Sequence, residues 1–63
     1  MINENLKKFR MKKGLSRIKL EEKAGISRRT IEFIEKRKIA NPRLITLRKL
    51  AAALDVTIND LIE

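Results

Sequence analysis

Two adjacent arginines, Arg28 and Arg29, directly follow a serine at a position where a short helix can begin. The hydroxyl of Ser27 can accept a hydrogen bond from a free backbone N–H of the first turn, which makes it a favourable N-cap. A guanidinium can donate two parallel hydrogen bonds to a phosphate or to the O6 and N7 atoms of guanine. Arginines held at the start of a helix therefore indicate recognition of a nucleic acid.

Residues suited to catalysis or metal binding are scarce. The chain contains no histidine, cysteine or tyrosine. Its acidic residues fall on separate predicted surface turns, so neither a nucleophile with its base nor a metal-ligand cluster is predicted. We expect the protein not to be an enzyme, and we expect no cofactor, no metal and no small-molecule ligand.

Positive charge is concentrated in the first two-thirds of the chain. Residues 1–43 carry 14 lysines and arginines against five acidic residues, a net charge of +9, whereas residues 44–63 carry two against three, a net charge of −1. We therefore expect a polyanion to bind the first two-thirds. No apolar run approaches the roughly 20 residues of a membrane span. The N-terminus lacks the apolar region of a signal peptide, so we expect a cytoplasmic protein.

The apolar residues recur with helical spacing throughout, which predicts an all-α fold with one domain over residues 1–63. We predict five short helices around one shared core: about 4–13, 17–24, 28–36, 43–54 and a last turn after Thr57. Asn3 is expected to cap the first helix, and Thr57 with Asp60 forms the outline of a capping box. The fourth helix is expected to turn these residues inward: Leu44, Leu47, Leu50, Ala51 and Leu54.

A tight turn joins the second and third predicted helices. Ser16 and Ser27 are suitable caps for these two helices. Gly25 lies between them, where an abrupt helix end favours a residue that tolerates positive φ. Two helices joined by a glycine-containing turn form a helix-turn-helix, whose second helix enters the major groove of DNA.

Four motifs in this order resemble the lambda-repressor-like family, which includes Cro, repressor and Xre-type regulators. They are Gly14-Leu15-Ser16, Ala24-Gly25-Ile26-Ser27, Ile31-x-x-Ile34-Glu35 and, after Pro42, LRKLAAALDVTINDLI. The resemblance covers about Leu6 to Ile62. It implies a sequence-specific transcriptional regulator, expected to be a repressor, that binds double-stranded DNA and reads the major groove with its third helix.

The resemblance also assigns base contacts to Arg28, Arg29 and Phe33. At the helical period, Phe33 points about 130° away from the buried stripe of Ile31 and Ile34. We hypothesise that Phe33 meets a thymine methyl group, although it could instead lie against the second helix. Either arginine could read a guanine or hold a phosphate.

Phosphate contacts are predicted on both sides of the groove, and such contacts set register and supply salt-sensitive affinity. The predicted set is Ser16, Arg17, Ser27, Thr30, Lys36, Arg37, Lys38 and Arg43. Arg17 stands where the family usually has glutamine. The resemblance further implies a structural ion pair between Arg10 and Glu35.

Two positions depart from the glycines that are common in the family. One lies in Lys36-Arg37-Lys38, directly after the third helix, and the other is Asp55. A residue with positive φ after the third helix would be mildly strained, whereas Asp tolerates the left-handed region fairly well.

Members of this fold typically bind palindromic sites as two-fold dimers. We predict a homodimer, formed in solution or only on DNA. Its proposed contact consists of apolar residues that lie off the main stripes: Ile45, Ala52, Ile58 and Ile62. These residues could equally extend the core. One alternative function is the DNA-binding antitoxin of a toxin–antitoxin pair. A more remote one is a basic amphipathic protein that binds a membrane surface or a partner, but Gly14, Gly25 and Pro42 interrupt the long helices it would need.

Overall fold

The computed structural model describes all residues from 1 to 63, and its regular elements are all α-helices. The helices are α1 (Ile2–Lys12), α2 (Arg17–Ala24), α3 (Arg28–Glu35), α4 (Leu44–Leu54) and α5 (Ile58–Ile62). This confirms the predicted all-α fold of five helices, with the helix-turn-helix at α2 and α3. None of the helices has the length and apolar character needed to cross a membrane.

All five helices contribute to one core. Its fully buried large side chains are Leu6, Leu20, Ile31, Ile34, Leu50, Leu54 and Leu61. Helix α1 packs against α3 and α5, α2 packs against α3 and α4, and α4 packs against α5. Helices of 11 residues or fewer are marginal in isolation, so burial of their apolar faces stabilises them. The inner face of α3 is thereby held on a packed base.

The ends of α2 and α3 follow the local signals in the sequence. The Ser16 hydroxyl accepts a hydrogen bond from the Lys19 amide at 3.1 Å, and the Ser27 hydroxyl accepts one from the Thr30 amide at 3.1 Å. Gly25 ends α2 with a φ of +71°. The left-handed conformation of Gly25 and the Ser27 cap together define the turn from α2 into α3.

Helix α1 and the start of α4 differ from the sequence prediction. Helix α1 begins at Ile2 and has Met1 as its N-cap without a side-chain bond, so the prediction of an Asn3 cap is wrong. Burial of Ile2 in the core extends the helix. Leu44 was expected to point inward but is 55% exposed. It is the first residue of α4, where the helix has not yet reached the core.

Arg37 and Asp55 are the non-glycine residues with positive φ, at 63° and 59°. Both stand where the resembling family often has glycine, and both follow a helix end. A left-handed conformation costs a residue with a Cβ roughly 1–2 kcal/mol. The chain therefore keeps the backbone turn at both positions and accepts local strain.

Candidate nucleic-acid interface

The exposed side of α3 carries Arg29 and Phe33, on the face opposite the buried Ile31 and Ile34. The Arg29 Cζ atom lies 5.2 Å from the centroid of the Phe33 ring, which is a cation–π contact. Phe33 is half-buried and lies outside the hydrophobic core. The helical period predicted their shared face, but it did not predict that the two side chains stack.

Arg28 and Arg29 are both exposed, and neither takes part in any ion pair of the structure. They lie in the first turn of α3, directly after the Ser27 cap. Neither guanidinium is therefore held by a direct contact to a carboxylate of the protein, although the pKa of Glu32, which Lys36 lowers most, is lowered further by the charge of Arg28. Both remain available to an acceptor outside the chain.

Glu35, at the other end of α3, accepts hydrogen bonds from two arginines. Arg10 donates from Nε at 2.7 Å and from Nη2 at 3.1 Å, and Arg17 donates from Nε at 3.1 Å. Arg10 also donates from Nη1 to the carbonyl of Leu15 at 2.8 Å. The Glu35 side chain is only 1% exposed. The structure thus contains the predicted Arg10–Glu35 pair and adds Arg17, which the sequence did not indicate as a partner.

The Arg17 side chain remains 33% exposed despite its bond to Glu35. It lines a cleft of ≈ 510 Å³ between α1, α2 and α3, together with Lys7, Ser16 and Arg28. Lys7, Arg17 and Arg28 together outnumber Glu32, the carboxylate that also lines this cleft, so its surface is positively charged. Arg17 therefore has two roles: it donates a hydrogen bond to the buried Glu35, and it contributes positive charge to the surface of this cleft.

The hydroxyls of Ser16, Ser27 and Thr30 are predicted to contact phosphates, but they differ in whether the hydroxyl proton is already donated within the protein. The Ser27 hydroxyl donates to Thr30 Oγ1 at 2.9 Å, so its proton already has an internal acceptor. The hydroxyls of Ser16 and Thr30 only accept hydrogen bonds within the protein. Thr30 lines a second cleft of ≈ 410 Å³ with Asn41 and Arg43. Ser16 and Thr30 are therefore the two hydroxyls able to donate outward.

Basic residues after α3 fall into two groups. Lys36 donates from Nζ to Glu32 Oε2 at 2.9 Å, and this hydrogen bond, with the lysine's charge, lowers the pKa of Glu32. Arg37, Lys38 and Arg43 are exposed and belong to no ion pair. The loop thus adds three free cations to those at the start of α3, while Lys36 is partly neutralised.

The predicted apolar patch is only partly exposed. Ile45 is 55% and Ile62 47% exposed, and Ala52 is also exposed. Ile58 instead packs against the core. Leu44 is a further exposed apolar residue beside this patch, although its helical position predicted that it would lie on the inner stripe. Three of the four predicted residues are therefore accessible to a partner.

Sequence comparisons place relatives over nearly the whole chain. The helix-turn-helix family matches residues 6–61. The HTH-type transcriptional regulator SinR of Bacillus subtilis is 36% identical over 63 residues, which are 100% of this chain and 57% of that protein. SinR of Bacillus licheniformis is 37% identical over 62 residues, 98% of this chain and 56% of that protein. The chain thus spans little more than half the length of these relatives.

One further relative extends this result. An uncharacterized HTH-type transcriptional regulator of Archaeoglobus fulgidus is 39% identical over 56 residues, 89% of this chain and 79% of that protein. The relatives are regulators of transcription, which agrees with the expectation that the chain is not an enzyme.

Solved structures show the same arrangement of helices. The crystal structure of SinR, the master regulator for biofilm formation, in complex with DNA has a TM-score of 0.95 and 36% identity over 100% of both chains. The solution structure of the N-terminal DNA-binding domain of Bacillus subtilis SinR has a TM-score of 0.90 and 36% identity, over 100% of this chain and 91% of that one. This chain belongs to the helix-turn-helix family of the lambda-repressor-like type.

Proposed function

We propose that residues 1–63 form the DNA-binding domain of a transcriptional regulator, which places α3 in the major groove of double-stranded DNA. The observation that carries this proposal is the pair of exposed, unpaired arginines, Arg28 and Arg29, at the start of a helix whose other face is fixed in the core. The full length of this chain matches SinR, and the matching SinR chain has been crystallised in complex with DNA.

Arg28, Arg29 and Phe33 are the proposed base contacts. A guanidinium matches the O6 and N7 acceptors of guanine, and an apolar ring edge matches the methyl group of thymine. All three side chains reach solvent from the same helix. We propose sequence-specific recognition because these groups differ in chemistry from the lysines that only attract phosphate.

Phosphates are the proposed ligands of two flanking groups. On one side, Ser16 and Arg17 lie at the N-terminus of α2, where free backbone N–H groups favour an anion. On the other side, the hydroxyl of Thr30 and the guanidinium of Arg43 line one cleft. The remaining predicted contacts are Ser27, which acts as the cap of α3, and the loop residues Lys36, Arg37 and Lys38.

Two copies are proposed to bind one palindromic operator, with half-sites about 34–36 Å apart along the duplex. The exposed residues Ile45, Ala52 and Ile62 are the proposed contact between copies. We propose that the regulator is a repressor and acts in the cytoplasm. The SinR relatives are transcriptional regulators, which favours transcriptional regulation over the antitoxin alternative. The membrane-surface alternative loses support, because all five helices contribute buried side chains to one shared core and are not long amphipathic helices.

Selection of bound duplexes from a random DNA pool tests the proposal. We expect a palindromic site for the wild type and loss of preference for one guanine in Arg29→Ala. Lys12→Ala is the control, since it removes an exposed cation from a cleft that no proposed contact lines, and it should select the same site. Affinity should fall by about 10³-fold or more between 50 and 200 mM salt if about six phosphates are held. Recovery of no preferred duplex would contradict sequence-specific binding.

A further inference from the structure

No hydrogen bond or ion pair within the protein holds the Arg29 side chain against Phe33. The guanidinium donates no hydrogen bond within the protein and pairs with no carboxylate. Phe33 contributes nothing to the hydrophobic core. The exposed arginine and the half-buried ring therefore form a pair on the protein surface, outside the hydrophobic core.

Stacking restricts the arginine but leaves its hydrogen-bonding edge open. A guanidinium is planar, contacts an aromatic ring through its face and carries its five N–H donors around its rim. The Phe33 ring thus limits the directions that the Arg29 donors can take. Less conformational freedom remains to be lost when those donors meet an acceptor pair.

On the basis of the proposed DNA binding, we infer that Arg29 and Phe33 act as one unit that reads a guanine and a thymine lying one or two base pairs apart. The N–H edge of Arg29 matches guanine O6 and N7, and the Phe33 ring matches the thymine methyl. The Arg29 Cζ atom lies 5.2 Å from the centroid of the Phe33 ring. Base pairs one step apart are separated by about 3.4 Å and those two steps apart by about 6.8 Å, so the two side chains can reach base pairs one or two steps apart.

Arg28 provides an internal contrast, because no aromatic ring lies over it. Its contact to DNA depends on its own side chain alone. Substitution of Phe33 should therefore change recognition of the Arg29 guanine while leaving any base selected through Arg28 unaltered.

Modified duplexes built on the selected site separate the two halves of the unit. Deoxyuridine in place of the thymine removes only the methyl group, and we expect wild-type affinity to fall about fourfold. 7-Deazaguanine removes N7, and we expect a fall of about 5-fold or more. Phe33→Ala should be insensitive to deoxyuridine and less sensitive to 7-deazaguanine, because its Arg29 is no longer held.

Two further variants sharpen the test. Phe33→Leu keeps an apolar surface for the methyl but lacks a ring face, so it should retain sensitivity to deoxyuridine and lose part of its sensitivity to 7-deazaguanine. The double variant Arg29→Ala/Phe33→Ala should lose less affinity than the product of the two single losses, as expected for coupled side chains. Circular dichroism and affinity for unrelated duplexes at low salt confirm that each variant is folded.

Three results would overturn the inference and leave the proposed function standing: a selected site in which the guanine and thymine are more than two base pairs apart, equal deoxyuridine sensitivity in wild type and Phe33→Ala, or purely multiplicative losses in the double variant. Absence of duplex binding by the folded wild-type protein would instead overturn the proposed function, and with it this inference.

Discussion

Arg10 and Arg17 donate hydrogen bonds to the carboxylate of Glu35, whereas Arg28 and Arg29 have no carboxylate within ion-pair distance. The first pair lies against the C-terminal end of α3 and the second lies in its first turn. The same residue type thus has an internal partner at one end of an eight-residue helix and none at the other.

We call the C-terminal end of α3, around Glu35, the structural end. The first turn of α3, with the proposed base contacts Arg28 and Arg29, is called the binding end. Glu35 ties α3 to α1 through Arg10 and to α2 through Arg17, so three helices meet at one buried carboxylate. Burying charges is costly, and such a cluster adds less net stability than its short distances suggest. Its main effect is to fix the orientation of α3, which determines where the unpaired arginines point.

The largest effect is expected from Glu35→Ala, which would break the structural end. Arg10 would keep its buried position without a counter-ion, and the loss of one partner of a buried pair costs about 3–5 kcal/mol. A domain of this size has a total stability of about 3–5 kcal/mol. We therefore expect loss of cooperative urea unfolding, measured by far-UV circular dichroism.

The matched control replaces both charges with apolar groups of similar size, as Arg10→Met/Glu35→Leu. No charge is then left unpaired in the interior, and Arg17 can reach water. This double variant should unfold cooperatively and at higher urea than Glu35→Ala. Equal or lower stability of the double variant would contradict the view that an orphaned Arg10 causes the loss.

At the binding end, Arg28→Ala should leave stability within about 0.5 kcal/mol of the wild type, since Arg28 is exposed and unpaired. Its affinity for the selected duplex should fall by about 1–3 kcal/mol if Arg28 reads a guanine. Fluorescence anisotropy with the labelled duplex measures this fall. Arg28→Lys distinguishes the two roles: a guanine contact needs the two-donor fork and is lost, whereas a phosphate contact is largely kept.

Arg37→Gly tests the strained cation that follows the C-terminal end of α3. Arg37 adopts a φ of 63°, and glycine removes a penalty of about 1 kcal/mol. We expect a melting temperature higher by about 4–8 °C. Arg37→Ala is the control, because it removes the same charge and keeps the strain. Both variants should show a similar reduction of the salt dependence of DNA binding, and equal melting temperatures would argue against strain.

Local signals made α2 and α3 predictable, because the caps Ser16 and Ser27 and the turn residue Gly25 act on their own neighbours. The start of α1 and the exposure of Leu44 depend on where the core ends, which no local pattern specifies. In the candidate site, helical periodicity placed Arg29 and Phe33 on one face. The stacking of these two and the bond from Arg17 to Glu35 depend on side-chain rotamers set by tertiary contacts.

Lys36, the C-cap of α3, combines features of both groups of cations. It is exposed, as Arg28 and Arg29 are, but it is also paired with a carboxylate, that of Glu32. Its hydrogen bond, followed by its charge, lowers the pKa of Glu32 in the folded protein. Because the folded-state pKa lies below the unfolded one, the ionised pair favours folding above the unfolded pKa. This contribution is lost as the pH falls through the lowered folded value.

The smallest expected effect is the change in this titration in Lys36→Met. The pKa of Glu32 should rise toward its ordinary value, and the acid-side dependence of stability should shrink with it. An NMR titration of the Glu32 side chain measures the shift directly. Lys38→Met is the control, because Lys38 is exposed and unpaired and its loss should leave that pKa nearly unchanged. An equal rise in both variants would mean that general positive charge, and not the Lys36 hydrogen bond, sets the titration, which would group Lys36 with the unpaired loop cations Arg37 and Lys38.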